Sequence, residues 1–224
     1  MPLKIYGHPF SSYTQKVLIA LYENNVAHDL LSLDPGDPDQ AQHAAAWLTR
    51  WPLRKFPVLA DGERSIVETS VIIEYLQLAH PGPVSLIPAD PMAALNVRFL
   101  DRFFDLHVMS PVQQAVGGAL SGDAIKKQEA LAQAADKLEL AYAWLEGHLA
   151  AGGASWAADS GFSMADCAAA PALFYADWTH PIGAAYPAVR AYRARLLAHP
   201  SVARAVDGGR PFRHYFPLGA PDRD

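Results

Sequence analysis

The strongest constraint on this chain is a change of pattern between residues 80 and 91. Before it, short apolar runs alternate with helical periodicity; after it, the strand signal disappears. The stretch from His80-Pro81-Gly82-Pro83 to Pro88-Ala89-Asp90-Pro91 carries four prolines and a glycine. Proline lacks a backbone donor and fixes φ, so such a run interrupts regular structure and reads as a linker. It predicts an α/β unit at 1–80 and an all-helical unit at 91–224.

Within the first unit, Leu3-Lys4-Ile5-Tyr6 alternates with β-favouring residues and is closed by Gly7 and Pro9. Ser11 and Ser12 precede Val17, Leu18 and Leu21, which share one helical face. Residues 26–33 predict a strand, and Pro35-Gly36-Asp37-Pro38 then breaks the chain. Phe56-Pro57-Val58-Leu59 and Ser65-Ile66-Val67 flank Asp61-Gly62, a hairpin signal. Residues 69–78 read as a helix. The predicted order is β-α-β, a hairpin, then a helix. In the second unit, residues 92–108 place Leu95, Phe99, Phe103 and Leu106 on one apolar stripe, with Arg98, Asp101, Arg102 and Asp105 on other faces. Further helices are predicted over 124–149, 163–176 and 188–199.

Composition narrows the function classes. The apolar share is 51% and the charged share 18%, the balance of a packed globular chain. The 23 acidic and 18 basic residues give a formal charge of −5, so a general nucleic-acid grip is not expected. No apolar run reaches the length of a membrane helix, and residues 1–10 lack the features of a signal peptide. The single cysteine, Cys167, cannot form an internal disulfide, which suits a reducing cytoplasm; it reads as a packed thiol. The nine histidines show no metal-ligand spacing, so no metal is expected.

Four local signals in the first unit carry chemistry. The turn His8-Pro9-Phe10-Ser11-Ser12-Tyr13 places hydroxyls where backbone N–H groups and the positive end of a helix dipole meet. There Ser11 or Ser12 either caps the helix or donates a hydrogen bond to an anion such as a thiolate. Pro57, opening a strand, is either an ordinary edge proline or the pivot of a cis bond that presents neighbouring backbone to an added peptide strand. Glu68 and Thr69 stand before a helix, able to cap it or to receive an ammonium and a carboxylate. Lys55 is a surface charge or the partner of a second carboxylate.

Taken in order, the strand, the serine turn, Lys55-Phe56-Pro57-Val58-Leu59 and Glu68-Thr69-Ser70-Val71-Ile72-Ile73-Glu74-Tyr75-Leu76 resemble the N-terminal domain of cytosolic glutathione transferases. Leu86-Ile87-Pro88-Ala89-Asp90-Pro91 resembles that family's interdomain segment. Phe162-Ser163-Met164-Ala165-Asp166 resembles its second-domain capping box, with Asp166 one methylene shorter than the usual Glu. The resemblance covers nearly the whole chain. It implies an α+β thioredoxin-like domain followed by an all-α domain, and a transferase that joins glutathione thiolate to a small hydrophobic electrophile.

Carried over position by position, the resemblance makes Ser11 catalytic, with Ser12 a neighbour able to share the role. Val58, beside a cis Pro57, would offer backbone hydrogen bonds to the cysteinyl part of glutathione. Glu68 and Thr69 would hold the γ-glutamyl end, and Lys55 the glycyl end. Glutathione is then the co-substrate, and a homodimer is implied. Serine where thiol-exchange classes have cysteine argues against mixed-disulfide chemistry. Trp51 and Arg54 depart from the family's usual stretch and add bulk and charge. The alternatives are a non-enzymatic glutathione- or partner-binding protein, or a glutathione-dependent peroxidase or isomerase. The second-substrate site is expected between the domains, at Phe103, Phe104, His107 and Met109, with Phe174, Tyr175 and Trp178 as further candidates. Such aromatics more often belong to a core. The tail over 211–224, with Phe212, Tyr215 and Phe216, is expected to fold back over the site or the other domain.

Overall fold

The structure is a computed structural model and describes residues 2–153 and 155–224. Four strands form one sheet in the order β2-β1-β3-β4: β1 (Leu3–Gly7), β2 (His28–Ser32), β3 (Val58–Asp61) and β4 (Arg64–Ile66). β1 runs parallel to β2 and antiparallel to β3, with Tyr6 opposite Val58; β3 and β4 make the hairpin around Asp61-Gly62. Alternation along the strands feeds two faces. Leu3, Ile5 and Leu59 pack with Val17, Leu18 and Leu21 of α1 (Ser12–Glu23) and Ile72 and Leu76 of α3 (Thr69–Ala79). Tyr6, Val58 and Ala60 face the other way, against Ala46, Trp47 and Trp51 at α2 (Gln40–Arg50). This β1-α1-β2-α2-β3-β4-α3 order is the thioredoxin-like arrangement.

The structure departs from the sequence expectation at α2 and α4. α2 follows the Pro35–Pro38 break and buries none of its residues fully, so its apolar signal is thin. The stripe expected on the next helix meets the core only at Phe103. α4 (Pro91–Phe103) buries Ala94, Val97, Leu100, Asp101 and Phe103, while Leu95 and Phe99 are about half exposed, at 57% and 49%. The helix carries apolar residues on two faces, and only one of them meets the helices behind it.

α4 runs into a π-helical turn, Phe104–Met109, and then α5 (Ser110–Leu120), where the sequence predicts one unbroken helix over 92–108. The wider turn shifts the register, a feature often found at functional sites. α6 (Ala124–Gly152), α7 (Met164–Thr179), α8 (Pro187–Ala198), α9 (Pro200–Gly209) and a 3₁₀ turn (Arg210–Tyr215) complete a mostly helical second part. α7 is its axis, with nearly every residue buried. Its start is fixed by Asp166, which accepts from the Ser163 N–H (2.9 Å), the Ser163 hydroxyl (3.0 Å), the Ala157 N–H (3.0 Å) and the Tyr192 hydroxyl (2.6 Å). Cys167 is fully buried beside it, and burial pushes its thiol well up.

The proline-rich segment is tied to both parts. The Gln77 amide pairs with the Ile87 N–H (2.9 Å) and C=O (2.6 Å), and the Met164 N–H donates to the Leu86 C=O (2.8 Å). α1 packs on α7 and α9 as well as on the sheet, so its N-terminus lies at the seam.

Candidate functional site

The β1–α1 turn is held from four sides. Ser11 is the N-cap of α1, with extended backbone (φ −78°, ψ 127°), and its oxygen accepts the Thr14 N–H at 3.4 Å. A cap oxygen that accepts this bond retains its own proton for donation. Gly7 ends β1 because Thr14 lies there: a Cβ at residue 7 would sit 2.7 Å from the Thr14 hydroxyl. The Gln15 amide donates to the Pro9 C=O (3.0 Å), and the Tyr175 hydroxyl of α7 donates to the Phe10 C=O (2.6 Å). Gly209 at the end of α9 meets the same loop; a Cβ there would lie 3.3 Å from the Pro9 oxygen.

Two cavities open at this turn and share Phe56. The first, about 360 Å³, is walled by Trp51, Lys55, Phe56 and Pro57 from the loop before β3 and by Glu68 and Thr69 at the start of α3. Tyr13, Arg102, Asp105 and Leu106 complete it. The Phe56–Pro57 peptide is cis. Glu68 precedes α3 with a positive φ of 66° and ψ of 118°, so α3 starts without a side-chain cap and its first N–H groups are free for a ligand. Lys55 is exposed, and its C=O is pinned by the Trp47 indole N–H at 3.0 Å.

Beneath this cavity lies a buried ionic cluster that the sequence does not announce. Lys16 of α1 is 1% exposed and meets Asp101 at 2.7 Å, Asp105 at 2.8 Å and the Ser70 hydroxyl at 3.1 Å. Ser70 in turn donates to Asp101 at 2.6 Å, and Arg102 closes the cluster against Ser70, Asp101 (2.8 Å) and Asp105 (2.6 Å). Burial pushes the Asp105 carboxyl up, against the opposing pull of Lys16 and Arg102. The Tyr13 phenol is pushed up to about 12, first by burial and then by Asp105, so it is a hydrogen-bond donor at neutral pH.

The second cavity, about 230 Å³, holds Ser11 and Ser12 with Phe10, Phe56, Met109 and Val112. Gln113 and Val116 of α5, Tyr175 of α7 and the tail residues Tyr215, Phe216 and Pro217 close it. The tail is clamped by Arg213 and Arg210 on Asp224, by Arg223 on Asp177 and by the Tyr215 hydroxyl on Asp34 (3.0 Å).

Of the residues expected from the sequence, Lys55, Pro57, Glu68 and Thr69 line the first cavity and Ser11 and Ser12 the second. Val58 lines neither. Its side chain packs on the α2 face of the sheet with Tyr6 and Ala60, while the role expected of it concerns its backbone; Phe56, two residues earlier on the chain, lines both cavities. Arg54 is exposed with φ 57° and also lines neither. Among the expected second-substrate residues, Met109 and Tyr175 reach the second cavity. Phe104, Phe174 and Trp178 are core, and Phe103 and His107 face a separate groove between α4 and α6. Arg102 and Asp105 read only as faces away from the apolar stripe, and Gln113 carries no signal of its own, because charged and amide side chains on a long helix ordinarily belong to a solvated face.

The sheet, its flanking helices and the helical second part define the fold of the glutathione transferases. Two sequence profiles agree: "Glutathione S-transferase, N-terminal domain" matches residues 5–84 and "Glutathione S-transferase, C-terminal domain" residues 128–195. The chain belongs to the glutathione S-transferase family. It is 35% identical over 80 residues to a glutathione S-transferase of Silene vulgaris, covering 36% of each chain. It is 28% identical over 221 residues to a probable maleylacetoacetate isomerase of Vibrio cholerae, covering 94% of this chain and 98% of that protein. A crystal structure of a Methylobacterium radiotolerans glutathione S-transferase in complex with glutathione sulfonate matches with 28% identity and a TM-score of 0.75, over 92% of this chain and 95% of that one. The chain spans about a third to a half of the length of the first curated relatives it matches.

Proposed function

We propose that the protein is a glutathione transferase that joins the glutathione thiolate to a small hydrophobic electrophile. The observation that carries this reading is the pairing of a cavity rich in both signs of charge with an apolar one, joined at Phe56, with Ser11 lining the apolar one. A tripeptide carrying an ammonium and a carboxylate at one end and a carboxylate at the other suits the first cavity. Glu68 and Asp105 would face the ammonium, the α3 N-terminus at Thr69 would receive the α-carboxylate, and Lys55 the glycyl carboxylate. The thiol then passes Phe56 towards the α1 N-terminus. There the free N–H groups and the Ser11 hydroxyl stabilise the anion, which lowers the thiol's pKa from about 8.5 towards neutrality. Ser12, 6% exposed, sits one residue further into the helix and supports the same anion less directly.

Glutathione sulfonate bound to the Methylobacterium relative supports a glutathione site of this kind. Calorimetric titration with glutathione, followed by turnover of electrophiles, tests the reading. Ser11→Ala is expected to keep glutathione affinity within about threefold while kcat/KM at neutral pH falls about 100-fold, the range for loss of one oriented donor to a developing or resident anion. Undiminished thiolate absorbance in that variant would remove Ser11 from its role. The name of the Vibrio relative favours a second reading, glutathione-dependent isomerisation, which would use the same Ser11-held thiolate.

We also propose a homodimer in the cytoplasm. Val71 and Leu78 on α3, Met92, Leu95 and Phe99 on α4, and Leu140 on α6 are all exposed. The Glu74–Arg98 pair (2.8 Å) sets the α3 and α4 members of this face side by side. An apolar face this extensive is covered in most soluble proteins. Phe99→Arg should halve the mass seen by sedimentation; an unchanged mass would show that this face is not the contact. No described helix is long and apolar enough to cross a membrane.

A further inference from the structure

The second cavity contains five polar side chains, and four of them are accounted for. The Tyr175 hydroxyl donates to the Phe10 C=O (2.6 Å) and the Tyr215 hydroxyl to Asp34 (3.0 Å). Ser11 and Ser12 face the thiol in the reading above. The fifth is Gln113. Its neighbour Gln114 is tied to Gln133 (2.5 Å) and Lys137 (2.7 Å), but the Gln113 amide makes no hydrogen bond among the described residues. It projects from the first turn of α5, just beyond the π-helical turn that shifts the register there. No Lys, Arg, His, Asp or Glu lines the cavity.

We propose that Gln113 is the specificity-determining donor for the second substrate, and that this substrate is an uncharged electrophile bearing an acceptor oxygen beside the carbon attacked. The proposal rests on the transferase reading. A carboxylate placed here would lose its hydration with no cation to replace it, which is costly in an apolar pocket. An uncharged oxygen that gains negative charge during attack meets a donor already in place. With 1-chloro-2,4-dinitrobenzene the atoms balance as follows. The sulfur anion's electron pair forms a C–S bond at the chlorinated carbon, and the charge moves onto the nitro oxygens. The C–Cl bond then breaks and its pair leaves with chloride. No proton is exchanged. The Gln113 N–H donates to the ortho nitro oxygen while that oxygen carries charge.

The test compares the wild-type protein with Gln113→Leu and Gln113→Glu on two electrophiles: 1-chloro-2,4-dinitrobenzene, and 1-iodohexane, whose displaced pair goes directly to iodide and involves no oxygen. Gln113 is exposed on a helix surface, so both variants should fold; matched melting temperatures check this. Gln113→Leu is expected to lower kcat/KM for the nitroarene about tenfold, less than for a rigid buried donor, and to leave that for the iodoalkane within about twofold. Gln113→Glu should lose more on the nitroarene, because a carboxylate does not donate and repels the developing charge. An equal fall on both electrophiles, or no fall on either, overturns the proposal while the transferase reading stands. Absence of turnover by the wild-type protein with both electrophiles removes the transferase reading and this inference together.

Discussion

The charged cavity and the apolar cavity meet at Phe56, yet they are built in different ways. The charged one takes most of its wall from two short stretches, residues 51–57 and 68–69, set by the sheet and the start of α3. The apolar one is assembled from α1, α5, α7 and the tail, segments that stretch from Phe10 to Pro217. The first rests on a buried ionic cluster and the second on aromatic and aliphatic packing. On the function proposed, the first would take a single ligand with fixed charges, which a local motif can describe, and the second an electrophile selected by shape, which comes from long-range packing.

This construction explains what was legible. The serine turn, Lys55-Phe56-Pro57 and Glu68-Thr69 could be read because each is a local signal at an element boundary. The Val58 side chain belongs to the α2 face by the period-2 rule, which leaves the backbone role expected of it, beside the cis bond, as a proposal. Phe104, Phe174 and Trp178 fall in the core, the more frequent place for such aromatics; aromatic spacing alone does not separate core from cavity. The stripe on α4 misled because both of its apolar faces have helical period, and only the tertiary fold shows which one the protein covers. α5 and α9 were passed over because Gly117-Gly118 and Gly208-Gly209 lower helix propensity. Lys16 was invisible as a buried charge because its partners lie 85 and 89 residues away, at Asp101 and Asp105.

The largest effect should come from breaking the ionic floor of the charged cavity. Lys16→Met leaves Asp101 and Asp105 buried without the central cation, and removing one partner of a buried ion pair costs about 3–5 kcal/mol. Urea unfolding should show that loss, together with weakened glutathione binding. Arg98→Ala, which breaks an exposed pair, should change stability by less than about 1 kcal/mol. If Lys16→Met cost no more than Arg98→Ala, the cluster would not be the foundation of this cavity.

A smaller effect of opposite sign is expected at Glu68. Its φ of 66° with ψ of 118° suits glycine and strains any residue with a Cβ by about 1–3 kcal/mol. Glu68→Gly relieves that strain at some cost in chain entropy, for a net gain of about 1 kcal/mol, or about 2–4 °C in melting temperature. The same change removes the carboxylate proposed to face the ammonium, so glutathione affinity should fall about tenfold. Stability and binding moving in opposite directions would mark the strain as serving the charged cavity. A variant that lost both would mean that Glu68 is a structural residue.

The smallest effect concerns the turn the two cavities share, and it depends on pH. His8 accepts the Phe10 N–H on Nδ1 (3.1 Å), which leaves the Nε2–H to face Asp34 (3.4 Å). Burial lowers its pKa below 6.5, against the opposing pull of Asp34, so the folded protein prefers the neutral ring. As pH falls below 6.5 the unfolded chain takes up a proton that the folded chain resists. This stability is therefore fully present above 6.5 and is lost as pH drops towards the lowered folded value. Protonation at Nδ1 also ends the Phe10 bond. Phe212 and Tyr215 of the tail pack on the His8 ring at 4.8 and 5.8 Å, and Asp34 is shared by His8 and Tyr215. Acid should thus loosen the tail wall of the apolar cavity before it reaches the charged one. Between pH 7 and pH 5, S-hexylglutathione, whose chain would extend into the apolar cavity, should lose more affinity than S-methylglutathione, both lacking a thiol that titrates, and His8→Gln should remove the difference. Equal losses for the two ligands would mean that the turn transmits acid to both cavities alike, and the contrast between them would not extend to their response to pH.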